Sequence, residues 1–153
     1  MAKFSVNLYF PKSLSREEAL RRLAALPNRG PGSEAPEVGS TGNVSWQIGN
    51  TDHQYTADRI QRSTGMPVGD FYIRLTVSQP DDATMLEKWD RIVDLLEYGE
   101  DTVCLYQLED VLLLQKDGKL TLDSQSDYQS DLFRDHVRRR RQAEVKALGC
   151  LVD

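Results

Sequence analysis

The 153-residue chain has only two cysteines, Cys104 and Cys150, and two histidines, His53 and His136. So few thiols exclude a disulfide-stapled secreted scaffold, and a reducing, cytoplasmic address is the expectation. Cys104 sits in the apolar run 102–106 and reads as a small buried thiol, whereas Cys150, after Gly149, reads as a tail residue. Neither histidine has the H-x-x-x-H or CxxC companions of a metal site, so no metal and no cofactor is expected. No run reaches the ~18 apolar residues of a membrane span, and the start lacks the basic stretch and apolar core of a secretory leader. Glycine, at ten residues, is too sparse for a collagen-like chain. What is present, 39% hydrophobic and 28% charged residues, fits one globular domain over 1–153 that can bury a core unaided.

Catalytic signatures are equally scarce. Gly30-Pro31-Gly32 lacks the GxxxxGK[ST] frame of a phosphate loop, and no serine has nucleophile-elbow spacing. His53, beside Asp52, reads as a polar loop residue and is the only nucleus for a catalytic reading. His136, between Phe133 and Val137, reads as a partly packed imidazole. The chain is therefore expected not to be an enzyme.

Periodicity organises the chain. Phe4, Val6, Leu8 and Phe10 alternate with Ser5, Asn7 and Tyr9, predicting a half-buried strand. Ser15 and Glu18 have capping-box spacing at the start of a helix that Pro27 ends. Residues 27–43 are rich in Pro, Gly and Ser and read as a loop. Val44, Trp46 and Ile48 predict a second strand; residues 49–70 are ambiguous between strand and helical turn; Phe71 to Val77 alternate as a third strand. Asp81 and Asp82 open a helix whose Met85, Trp89, Ile92 and Leu96 form an apolar stripe, stopped at Gly99. Val103–Leu108 predicts a strand. Asp117-Gly118 predicts a hairpin between 111–114 and 120–122, and 127–148 reads as a helix ending at Gly149. The order predicts an α+β fold: an antiparallel sheet with helices packed on one face, a ferredoxin-like β-α-β-β-α-β core, then a C-terminal hairpin and helix.

The formal charge of −5 argues against a general nucleic-acid binder, but its distribution is uneven. Residues 81–131 carry fourteen Asp/Glu against four Lys/Arg, whereas 132–153 carry three against six. Glu87, Asp90, Asp94, Glu97 and Asp101 recur at spacings of three and four, which align them on one side of a helix away from Trp89. Lys88 and Arg91 relieve only part of their repulsion. This stripe is either a solvated face or a docking surface for a basic protein, extended by Glu100, Glu109 and Asp110 and anchored by Tyr98 and Tyr106. Arg138-Arg139-Arg140-Arg141 point all around a helix; Arg140 and Glu144 have pairing distance, and the cluster either meets the acidic segment, within one molecule or between two, or contacts RNA.

A small acidic α+β chain with no catalytic group and one concentrated acidic segment resembles bacterial toxin-immunity proteins. The resemblance implies a cognate protein toxin as partner, a nuclease or other effector with a basic cleft, and no nucleic acid or membrane. The mechanism it implies is occlusion by Glu87, Asp90, Asp94, Glu97, Tyr98, Asp101, Glu109 and Asp110. The reading from another class is a small-ligand sensor of ferredoxin-like type, with residues 27–43 and 49–70 as binding elements, Trp46 and Arg74 as contacts, and a homodimer in which sheets pair side by side.

Overall fold

The computed structural model describes residues 4–27, 37–51, 54–77, 79, 81–107, 109–125 and 131–151. The elements in chain order are β1 (Phe4–Pro11), α1 (Arg16–Ala24), β2 (Val38–Thr41), β3 (Val44–Asn50), α2 (Gln54–Thr64) and β4 (Val68–Val77). There follow α3 (Asp82–Leu96), β5 (Thr102–Tyr106), β6 (Asp110–Lys116), β7 (Lys119–Asp123), α4 (Asp131–Arg140) and β8 (Ala143–Lys146). The fold is α+β. Among the described residues eight strands form one sheet in the order β2-β3-β4-β1-β5-β6-β7-β8. The pairs are antiparallel except β7 with β8, which is parallel.

Alternation along the central strands supplies two cores rather than one. Val6, Leu8 and Phe10 of β1, Ile73 and Leu75 of β4 and Cys104 of β5 face α1, α3 and α4. Tyr9, Val68, Val103, Leu105 and Val111 face the other way, against Ile60 of α2 and the C-terminal Leu151. The expectation of helices on one face is thereby corrected. The strand over 4–10 is also not half-buried: Asn7 and Tyr9 are 5% and 2% exposed.

Local chemistry accounts for the ends of the elements. The Ser15 hydroxyl accepts from the Glu18 backbone N–H at 3.1 Å, one half of the capping box, while the Glu18 carboxylate turns to Arg21. Asp81 caps α3 by accepting from the Thr84 N–H at 2.9 Å, which lowers its pKa. The hairpin turn between β6 and β7 places Asp117 and Gly118 at φ 53° and 79°, the left-handed pair that an Asp-Gly turn supplies at least cost.

Three predicted segments differ. β2 lies within the 27–43 segment read as loop; it contains little apolar side chain and is held by backbone pairing to β3. The ambiguous 49–70 segment contains α2. The C-terminal helix ends at Arg140, and β8 returns parallel to β7, so Glu144 is not on the helix to pair with Arg140. Residues 28–36, 52, 53, 108 and 126–130 lie outside the described residues, so the expectations for Gly30-Pro31-Gly32, Asp52, His53 and Leu108 do too. Among the described residues no helix is long and apolar enough to cross a membrane.

Candidate interaction surface

α3 carries the acidic stripe, and its opposite side explains why the helix forms. Met85, Trp89, Ile92, Val93 and Leu96 are buried against the sheet, an arrangement that turns Glu87, Asp90, Asp94 and Glu97 away from the core. They do not face open solvent unopposed. α4 packs along this side and puts Arg140 among them. Its guanidinium donates to Asp94 Oδ1 at 2.7 Å and Glu97 Oε1 at 2.8 Å, and to the Asp90 carbonyl oxygen at 3.1 Å. His136 Nε2 lies 2.9 Å from Asp90 Oδ1, and Arg91 Nε lies 2.9 Å from Asp94 Oδ2. Burial works against the charge of Arg140, but its bonds to Asp94, Glu97 and Asp90 outweigh it and hold the guanidinium above its ordinary pKa.

The other predicted partner-binding residues are distributed elsewhere. Glu87 accepts from the Asn43 N–H at 3.0 Å and from its side-chain amide at 3.2 Å. It thereby closes the β2–β3 turn, in which Gly42 has φ 63°. Asp101 accepts from the Asp117 N–H at 3.0 Å, fixing the β6–β7 turn at one end of β5. Glu109 and Asp110 lie beyond the opposite end of β5, where Asp110 Oδ1 accepts from the Cys150 thiol at 3.1 Å, a bond that pushes the thiol pKa up. A continuous docking stripe from Glu87 to Asp110 is therefore not assembled.

A smaller constellation is assembled. The C-terminal ends of α1 and α3 meet at a cleft of about 320 Å³ lined by Arg22, Leu26, Pro27, Asp94, Glu97 and Tyr98. Tyr98 is 42% exposed, and its ring has the Arg22 guanidinium 4.5 Å from the centroid. Arg22 is held in place by Glu100 at 3.0 Å. Glu97 keeps a side-chain exposure of 54% despite its bond to Arg140. Both helix C-termini direct partial negative charge towards this end of the molecule, which favours a cation there. Sequence reading found Asp94, Glu97 and Tyr98 but missed Arg22; its i,i+4 spacing from Glu18 was the available signal.

Trp46 and Arg74, the predicted ligand contacts of the sensor reading, are not brought together. Trp46 is buried in the helix-side core. Arg74, next to its cross-strand neighbour Gln47, points to the other face, where Nε donates to Asn7 Oδ1 at 3.0 Å. Lys88, expected among the acidic residues, lies instead in the core, fully buried. Among the described residues no three His, Cys, Asp or Glu side chains form a group able to hold a metal ion. No protein-family model, curated protein or solved structure matches this chain.

Proposed function

We propose that the chain is a protein-binding inhibitor of the toxin-immunity kind, and that it docks through the cleft between the ends of α1 and α3. The observation that carries this reading is the exposed Tyr98 ring beside Glu97 and Asp94 at two converging helix C-termini. Such a site accepts a lysine or arginine side chain from a basic protein: the exposed part of the Glu97 carboxylate and the helix ends favour its charge, and the face of the tyrosine ring away from Arg22 covers its aliphatic stem. Arg140 covers the middle of α3 and also bonds Asp94 and Glu97, so the carboxylate surface left to a partner is the exposed part of Glu97 at the C-terminal end rather than the whole stripe. The cognate toxin's basic cleft would then be occluded by insertion of this end of the molecule. In the same reading, β3-β4-β1-β5 with α1 and α3 form a ferredoxin-like core, to which β2, α2 and the β6–β8 segment are additions.

The test compares the wild-type chain with the E97K/Y98A double variant as immobilised baits in a lysate of the native cell. Each is then co-expressed with the enriched protein in a growth assay. The expected result is a basic, growth-inhibiting protein that is enriched at least about thirtyfold more on wild type, the scale of losing one central aromatic anchor. Only wild type should restore growth. Equal enrichment on both baits removes the cleft from the reading, and enrichment without growth rescue removes the immunity role.

A further inference from the structure

The sheet ends at β8, and the outer edge of that strand carries a self-complementary pattern. Ala143 faces the helix-side core, whereas Glu144, Val145 and Lys146 are exposed, Val145 to 37%. The Ser124 N–H donates to the Lys146 carbonyl at 3.1 Å, so the polar groups of Lys146 face β7. Strand alternation then turns the N–H and C=O of Val145 outward, away from the sheet. Among the described residues no strand pairs with that edge.

We propose that β8 is a dimerisation edge whose occupant is β8 of a second copy, paired antiparallel about a two-fold axis through Val145. In that register the two Val145 residues exchange both outward-facing backbone hydrogen bonds and bring their side chains together. Glu144 of each copy lies opposite Lys146 of the other, and both pairs lie on the α2 side of the sheet, since side chains alternate from the inward-facing Ala143. Charged residues on an exposed edge ordinarily prevent open-ended pairing. Here they penalise other registers, which oppose like charges or strand Val145, and favour this one. The result is a closed two-fold contact and a continuous sixteen-stranded sheet. A four-residue ladder buries far less than the ~1,200 Å² of a standard stable interface, so the dimer is expected at concentrations from about 10 to 500 µM rather than nanomolar.

Sedimentation velocity over that range tests the pairing, with hydrogen exchange at the Val145 amide as a second readout. Wild type should shift from one to two chains with rising concentration, and Val145 exchange should slow several-fold with it. E144K opposes lysine with lysine twice and should weaken the dimer about tenfold. The exchanged pair E144K/K146E should restore it. V145P removes an outward N–H that β7 does not use, so the fold, checked by circular dichroism, should survive while the dimer is lost. A wild-type monomer at the highest concentration overturns the proposal. So does a dimer that E144K leaves unchanged, or one that the exchanged pair fails to restore.

Discussion

Replacing Lys88 with methionine is expected to stabilise the protein by about 1–3 kcal/mol at pH 6, the range seen when a buried charge gives way to an apolar side chain of similar volume. Lys88 projects from α3 into the core with no exposed surface. Its neighbour Cys104 is wholly buried, and burial pushes that thiol up to about 12, so it carries no negative charge near neutrality. Desolvation accordingly lowers the lysine from 10.5 to about 7. The sign follows from proton binding. Below pH 7 both states hold the proton, and the native state bears the net cost of burying it, offset in part by the Trp89 ring 5.9 Å from the Lys88 Nζ. Between about pH 7 and 10.5 the unfolded chain binds more protons than the native one, so wild-type stability rises with pH. Urea unfolding of wild type and K88M at pH 6, 7, 8 and 9 should therefore show two curves that converge as pH rises. A gap independent of pH would show that Lys88 is not buried as a charge near neutrality.

The second large effect is expected at Arg140. Its guanidinium joins Asp90, Asp94 and Glu97, three carboxylates that spacing on α3 alone would leave repelling one another. R140A removes the shared cation and loosens α4 from α3. Because the site is partly exposed, the expected cost is modest for a four-member network, about 1–2 kcal/mol in low salt and less at 1 M salt, where screening weakens both attraction and repulsion. A D94N change in the R140A background should cost less than in wild type, since its partner is already gone. Denaturant midpoints of the four chains measure this coupling; additive effects would mean that Arg140 does not bind the stripe.

The pattern of what was legible in the sequence follows from how much apolar side chain each element carries. β1, β3, β4 and α3 bury alternating or helical stripes, and their positions and the Asp81 and Gly118 boundaries could be read directly. β2, with Val38, Gly39, Ser40 and Thr41, has almost nothing to bury and is a strand because β3 presents a free edge. α2 buries Ile60 alone among its own residues, and β8 buries only Ala143, so neither shows a period. The acidic stripe was legible as a pattern but not as a surface. Its spacing places Asp90, Asp94 and Glu97 together, yet only tertiary packing reveals that Arg140, some 45 residues later, stands among them. Lys88 misled for the same reason: a lysine flanked by acids reads as a surface cation until the helix is set on its sheet.

The decisive measurement is the dissociation constant of the captured basic protein for wild type, Y98A and E109Q at 150 mM salt. Y98A is expected to bind at least about thirtyfold more weakly, the loss of a central aromatic anchor, while E109Q, beyond the opposite end of β5, binds as wild type does. Equal affinity of Y98A and wild type, or a larger loss in E109Q, would contradict docking at the ends of α1 and α3.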